Sequence, residues 1–307
     1  MSLTITPRLL LIAAGAIAGV GTATYGVYRG LIHDPDGIEF AKDPQFTWQV
    51  RVITPVSKCG GVIVAKDWVL TAAHCLRDMN SRVTDAEEIK VIAGFRDIKE
   101  RVGESARYFK IIDGFDPGTW PMQCDLALVQ VTMPGSGTSI VSMASEDEPL
   151  PDSMFVAGWA CDPQDTEGVE DLTEFGANCQ NRLGYTKVSS LEQAQCTSLY
   201  GERFVCAGGS SISRRAGFDV TDSGGGLTTS IDGDPTLIGI ANYIGEPYET
   251  YARVTAYAGW IGAVINPMGG AVPSCLNLPP AAATSRPPPR SGSSTPILSA
   301  ANHPERP

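Results

Sequence analysis

Short apolar runs separated by turn residues recur through most of the chain. Six of them have the length and the β-branched content of buried strands, at residues 61–65, 68–72, 90–93, 126–132, 154–157 and 237–243. Runs of this size, spaced by turn signals, are typical of antiparallel sheets and not of helices. The central part of the chain is therefore predicted to be an all-β domain.

The N-terminal segment has a different pattern. Arg8 precedes an apolar run over residues 9–20, and the small residues Gly21-Thr22-Ala23 follow it. This order is typical of a secretory signal peptide cleaved after Ala23. An uncleaved membrane anchor is the alternative, but the run is short for crossing a bilayer. We expect a signal at 1–23, a short propeptide at 24–37, and no stable membrane association once the signal is removed.

The C-terminal segment, residues 276–307, is rich in Pro, Ala, Ser and Arg and includes Pro287-Pro288-Pro289. Such a composition cannot bury enough apolar surface to offset chain entropy, so a disordered tail is predicted. A spacer is the simplest interpretation, and a proline-rich docking motif is the alternative.

Charge and cysteine content exclude some classes of function. The formal net charge of −11 argues against a nucleic-acid-binding protein, which needs a basic face. The eight cysteines are an even number in a chain with a signal, which predicts disulfides. No Cys-x-x-Cys spacing is present, so the cysteines do not predict a metal site. No organic cofactor is expected either.

Three separated motifs carry candidate chemistry. Ser223 lies between Asp222 and a run of glycines, His74 ends an apolar strand just before Cys75, and Asp125 directly precedes another apolar strand. A serine hydroxyl needs a base to become a nucleophile, and histidine suits that role because its pKa is near neutrality. The other two histidines lie near the N-terminus and in the tail, which leaves His74 as the candidate base.

The motifs Thr71-Ala72-Ala73-His74-Cys75, Asp125-Leu126-Ala127-Leu128 and Asp222-Ser223-Gly224-Gly225, in this order, resemble the trypsin/chymotrypsin family of serine peptidases in a secreted, bacterial-type form. The resemblance implies a peptidase domain over 38–275 with two six-stranded antiparallel β-barrels. It also implies an early strand at 48–50 and a C-terminal helix at 255–265, with Trp260 and Ile261 on its buried side.

The same resemblance implies the chemical roles. Ser223 would be the nucleophile, His74 the general base, and Asp125 the acid that orients the imidazole. The backbone N–H groups of Ser223 and Thr221 would form the oxyanion hole. Polypeptides would be the substrates, and a monomer is expected.

Disulfide pairs follow in part from the resemblance. Cys59 with Cys75 and Cys196 with Cys206 match family bridges, while Cys161 and Cys179 lie in one loop and are expected to pair locally. Cys124 and Cys275 remain, and their pairing is predicted by elimination alone.

The substrate pocket departs from the family pattern. Thr221 and Asp219 replace a glycine and a cysteine, and Asn242-Tyr243-Ile244 replaces the usual Ser-Trp-Gly wall. The pocket floor is Gly217, so either Glu249 supplies an acid for basic substrates or Ile244 narrows the pocket for small aliphatic ones. A threonine forced to positive φ at 221 would be strained. A catalytically impaired homologue that binds or scaffolds is therefore the alternative to a secreted endopeptidase.

The resemblance also implies an activation step. Asp222 would be buried and paired with a newly cut N-terminal ammonium, because a buried carboxylate without a cation is costly. Candidate new termini fall between residues 30 and 38, after Arg29, Gly30 or Gly37. A zymogen is therefore predicted.

Overall fold

The computed structural model describes residues 39–40, 46–55, 57–77, 82–93, 103–119, 121–132, 137–145, 150–151, 153–159, 183–208, 222–231, 234–243, 248–268 and 270–278. The predicted signal, propeptide and tail lie outside these residues, apart from the three residues 276–278, and so do Cys161 and Cys179. The described residues form fourteen strands: β1 (Glu39–Phe40), β2 (Gln49–Ile53), β3 (Lys58–Ala65), β4 (Trp68–Thr71), β5 (Lys90–Ile92), β6 (Glu104–Ile111), β7 (Ala127–Val131), β8 (Ser142–Met143), β9 (Ser153–Gly158), β10 (Gly184–Ser189), β11 (Phe204–Ala207), β12 (Gly226–Ile231), β13 (Asp234–Tyr243) and β14 (Glu249–Arg253).

The first barrel is closed by six antiparallel strands in the order β2-β3-β4-β7-β6-β5. Its core is apolar on nearly every inward position of β3, β4 and β7. β3 and β4 form a tight hairpin, and Asp67 in its turn has a φ of +63°. Aspartate tolerates this left-handed conformation better than most residues, because its short polar side chain can hydrogen-bond locally.

The second barrel has the strand order β10-β9-β12-β13-β14-β11. An isolated antiparallel β-bridge between Ser190 and Ala207 joins the residue after β10 to the last residue of β11. The Leu191 N–H donates to the Cys206 carbonyl at 2.9 Å beside it. The predicted pair of six-stranded barrels is therefore confirmed. Two short strands lie outside this pair of barrels: β1 adds an antiparallel edge to β10, and β8 pairs in parallel with β13.

Two α-helices lie among the described residues, α1 (Gln193–Tyr200) and α2 (Val254–Ile265). α2 is the predicted C-terminal helix, and it buries Val254, Tyr257, Trp260, Ile261 and Val264 at the i, i+3, i+4 spacing of one helical face. α1 was not predicted. Its only buried side chain is Cys196, which is disulfide-bonded to Cys206 in β11.

Neither helix has the length and apolar character needed to cross a membrane within the part of the chain that the structure describes.

Candidate active site

His74 lies at the end of β4, on a single turn of 3-10 helix at Ala73–Cys75. Both neighbours of His74 are buried, whereas the imidazole keeps 20% of its surface exposed. The disulfide between Cys75 and Cys59 ties this turn to β3. The backbone on both sides of His74 is therefore fixed, while its ring stays partly exposed.

Asp125 directly precedes β7 and is 1% exposed. The residue before it, Cys124, has a φ of +56° and is disulfide-bonded to Cys275. Both oxygens of the Asp125 carboxylate face His74: the His74 backbone N–H donates to Oδ1 at 2.8 Å, and ring atom Nδ1 lies 2.7 Å from Oδ2. With Nδ1 donating to the carboxylate, Nε2 is left as the proton acceptor of the ring.

The electrostatic environment favours the protonated imidazole. Burial lowers the pKa of His74, but the charge of Asp125 and its hydrogen bond raise it by more, so the net pKa lies above the ordinary value of 6.5. An imidazolium formed here is stabilised by the adjacent carboxylate.

Asn242, near the end of β13, also binds Asp125. Its Nδ2 donates to Oδ2 of Asp125 at 3.0 Å and to the Met122 carbonyl at 2.8 Å, and the side chain is 2% exposed. The sequence placed Asn242 in the substrate pocket wall and gave no sign of this contact, because Asp125 and Asn242 are 117 positions apart. Asn242 thus joins the second barrel to the acid of the first.

Ser223 lies in the turn that leads into β12, and its side chain is largely buried. Its carbonyl accepts a hydrogen bond from the Gly60 N–H at 2.8 Å. Gly224 has a φ of +81°, and a Cβ there would lie 2.6 Å from the Gly60 carbonyl and 3.0 Å from the Ala72 nitrogen. Only glycine allows this approach, which brings the Ser223 turn against the backbone two residues before His74.

Asp222 is 5% exposed. Its Oδ1 accepts a hydrogen bond from the Trp159 N–H at 3.0 Å and lies 3.5 Å from Nη1 of Arg51 in β2. The Arg51 side chain is fully buried, and its guanidinium lies 5.9 Å from the Trp159 ring centre. No motif had drawn attention to Arg51.

A small cavity of about 20 Å³, room for about one water molecule, lies behind the Ser223 turn, lined by Val156, Ala157, Asp222, Gly225, Gly226, Ala241, Glu249 and Tyr251. Glu249 is 1% exposed, and its Oε2 accepts a hydrogen bond from the Tyr251 hydroxyl at 2.7 Å. Burial raises the pKa of Tyr251 well above its usual value, and the charges of Glu249 and Asp222 raise it further. Glu249 therefore lies in the same enclosed space as Asp222.

The other predicted pocket residues divide into two groups. Tyr243 ends β13 with 36% of its surface exposed. Burial raises the pKa of Tyr200, and electrostatic interactions with Tyr243 and Tyr248 raise it further. Gly217, Thr221 and Ile244 lie outside the described residues.

Cys59, His74 and Cys75 place three potential metal ligands within 4.8 Å of one another. The two sulfur atoms are bonded to each other, so the disulfide accounts for this cluster.

Comparison with known proteins identifies the domain. The family model described as "Trypsin" matches residues 36–261, which is most of the chain. The chain belongs to the trypsin family. It therefore carries a serine-peptidase domain, with the double-barrel fold that the strand order shows.

Human "Serine protease 56" is a curated relative of this trypsin-family chain. The two are 29% identical over 259 residues, which cover 75% of this chain and 38% of the human protein. The chain thus spans less than half the length of that relative.

Proposed function

We propose that the chain is a secreted serine endopeptidase in which Ser223, His74 and Asp125 form the catalytic triad. The observation that supports this most directly is the arrangement around Asp125, whose two carboxylate oxygens meet the backbone and the ring of His74. A single carboxylate that fixes both the position and the tautomer of an imidazole is what a general base requires.

The proposed reaction is acyl transfer to water. Ser223 Oγ attacks the substrate carbonyl carbon while His74 Nε2 takes the hydroxyl proton. The tetrahedral intermediate collapses by breaking the C–N bond, and His74 returns the proton to the leaving amine. Water then attacks the acyl-enzyme in the same way, which releases the carboxylic acid and restores Ser223.

The developing oxyanion would be bound by the backbone N–H groups of Ser223 and Thr221. Such preorganised donors supply much of the rate enhancement in acyl transfer, and the loss of one costs about 10²–10³ in rate. Thr221 is the residue of this set that departs from the family, as a β-branched residue in place of glycine.

A catalytically impaired homologue that acts as a binding or scaffold protein is the second candidate. The observations that favour it are Thr221 at the proposed oxyanion position and the remodelled wall at Asn242-Tyr243-Ile244. In that case the chain would keep the contact between Asp125 and His74 but would not hydrolyse substrates.

Two substrate preferences are proposed for the pocket. Glu249, which lines the same small cavity as Asp222, would supply the acid for a basic side chain at the cleavage site. If Ile244 narrows the entrance instead, small aliphatic side chains would be preferred. Polypeptides are the proposed substrates, with no nucleic-acid partner, no stable membrane association and a monomeric enzyme.

Secretion and activation by cleavage also stay predictions. The three disulfides, Cys59–Cys75, Cys124–Cys275 and Cys196–Cys206, suit an oxidising compartment. N-terminal sequencing of active material tests the cleavage, since a mature chain beginning at Thr24 would contradict activation between residues 30 and 38.

The deciding experiment is intact-mass analysis after incubation with a fluorophosphonate, with Ser223→Ala as the control. The probe requires an activated serine and no knowledge of the substrate. We expect one adduct per molecule on the wild type and none on the variant. If correctly processed wild type forms no adduct, the endopeptidase proposal fails and the binding-protein candidate takes its place.

A further inference from the structure

The carboxylate of Asp222 lies directly beside Ser223 and is almost completely buried. A buried carboxylate is stable only if a cation or several hydrogen-bond donors meet it. The Trp159 N–H donates to Oδ1 at 3.0 Å, and Nη1 of Arg51 lies 3.5 Å from the same oxygen. Both groups come from within the folded domain.

Arg51 belongs to the first barrel. It occupies the centre of β2, paired with Gly60 on β3 and with Ile92 on β5, and its side chain is fully buried. Burial lowers the pKa of Arg51, and the charge of Asp222 raises it. A guanidinium has so high an ordinary pKa that it stays charged in proteins, so Asp222 faces a permanent cation.

The strand that carries Arg51 and its neighbour β3 both contact the turn around Ser223. Gly60, the register partner of Arg51, donates its N–H to the Ser223 carbonyl at 2.8 Å. Gln49 lies two residues before Arg51, on the same face of β2, and its Oε1 accepts a hydrogen bond from the Gly226 N–H at 3.4 Å. Side chains of β2 and the backbone of β3 thus contact both ends of the turn.

We infer that Arg51 is the positioning residue for the Asp222–Ser223 turn, so that Ser223 is reactive before any new amino terminus is cut. An ammonium brought to Asp222 would place two cations on one carboxylate. The buried guanidinium would then lose part of its compensation, which is strongly unfavourable. This inference replaces the activation step that the family resemblance implies: cleavage between residues 30 and 38 would remove a segment without making Ser223 reactive.

The inference rests on the proposed function, because it assumes that Ser223 is a nucleophile. Its test compares three forms of the otherwise complete chain, beginning at Thr24, Leu31 and Ile38, with each N-terminus verified by intact mass. The measured quantity is the second-order rate constant of phosphonylation by one fluorophosphonate.

We expect the three rate constants to agree within about threefold, a difference that corresponds to well under 1 kcal/mol. A Thr24 form that does not react, beside a Leu31 or Ile38 form that does, would overturn the inference and leave the proposed function standing. Failure of all three forms would instead contradict the proposed function, and the inference would fall with it.

Substitutions at Arg51 provide a second test in the Thr24 form. Arg51→Met removes the cation and keeps an extended side chain, and we expect a rate constant about 10²-fold lower, since small misplacements of a nucleophile have effects of this size. Arg51→Lys should recover most of the loss by restoring the positive charge. A merely structural contribution would not depend on charge in this way.

Arg203→Met is the matched control. Arg203 lies 5.8 Å from the ring centre of Tyr257 and donates to the Leu278 carbonyl at 3.0 Å, and none of the contacts described for its side chain involves Asp222, Ser223 or Gly60. It should lower thermal stability without lowering the rate constant per folded molecule. A folded Arg51→Met that reacts at the wild-type rate would overturn the inference; if this variant does not fold, the comparison of the three N-terminal forms decides.

Discussion

The two barrels share a strand number but differ in how they hold their chemistry. The first barrel contains both His74 and Asp125, and the contacts between them need nothing from the second barrel. The second barrel contains Ser223, but the backbone of this residue is held by Gly60 and its neighbouring acid by Arg51, both in the first barrel. The base is thus positioned locally, whereas the nucleophile is positioned across the barrel junction.

The cores differ less than this positioning does. The first barrel buries runs of valine, leucine and isoleucine in β3, β4 and β7, and it also buries Gln49, Arg51 and Asp125. The second barrel buries polar side chains as well, with Thr228, Thr236, Asn242, Glu249 and Arg253 among them. Buried polar groups need specific partners, so both barrels depend on individual contacts. Four predictions test the contrast, from the largest expected effect to the smallest.

Asp125→Asn should have the largest effect, because an amide disfavours the tautomer of His74 that leaves Nε2 free to accept a proton. We expect the phosphonylation rate constant to fall about 10⁴-fold with little change in fold. Asp113→Asn is the matched control in the same barrel: Asp113 is 59% exposed and pairs with Lys110, so the rate should not change. If Asp125→Asn had nearly the wild-type rate constant, the contact between Asp125 and His74 would not be needed for the reaction.

Gly60→Ala should test the junction. A Cβ on Gly60 would lie 2.8 Å from the Gly225 Cα, a backbone atom, so the Ser223 turn must shift. We expect a rate loss of about 10²-fold and a lower melting temperature. Gly262→Ala in α2 is the control, since no atom lies within 4 Å of the added carbon and the melting temperature should rise. Equal behaviour of the two variants would contradict the proposed junction.

Asn242→Ala should have a smaller effect. Among the hydrogen bonds described for the Asp125 carboxylate, the one from Asn242 is the only one donated by the second barrel, and this variant removes it. His74 remains bound to Asp125 in this variant. Hydrogen bonds to charged groups contribute about 1.5–3 kcal/mol, which corresponds to a rate loss of about 10- to 100-fold. A loss as large as that of Asp125→Asn would show that the first barrel does not hold its base alone.

The pH dependence should reflect His74. The base must be neutral to accept a proton, and Asp125 raises the pKa of His74 above 6.5. The rate constant should therefore fall about tenfold per pH unit on the acid side of a midpoint above 6.5. The stability from the imidazolium–carboxylate contact has the opposite sign: it is fully present below pH 6.5 and is lost as the pH rises through the folded-state pKa. A midpoint below 6.5 in the pH–rate profile would contradict the described environment.

The strand pattern predicted much of the fold, because buried strands with apolar residues on both faces give continuous runs in the sequence. All six predicted strand regions contain strands in the structure. Strands with mixed polarity, such as β6 and β10, were not predicted because their exposed faces interrupt the apolar run. α1 has almost no apolar face, so its residues gave no helical period.

Arg51 shows why part of the site could not be predicted. In Gln49-Val50-Arg51-Val52, polar and apolar residues alternate, which is the usual pattern of a strand with one face in water. Here the polar face meets the second barrel instead, and Arg51 and Gln49 are both buried. The acid at Asp222, 171 positions away, accounts for the buried charge of the arginine. Such a pairing follows from the folded topology and leaves no local signal.

The disulfide between Cys124 and Cys275 has a mechanical consequence. The last described residues, 270–278, leave α2 and return to the first barrel, where this bond attaches them one residue before Asp125. The Arg203 side chain adds a noncovalent hold at Leu278. Tension applied to the chain beyond Leu278 would therefore load the covalent bond and the rim of the first barrel, while α2 and the strands behind it would be shielded from the pull.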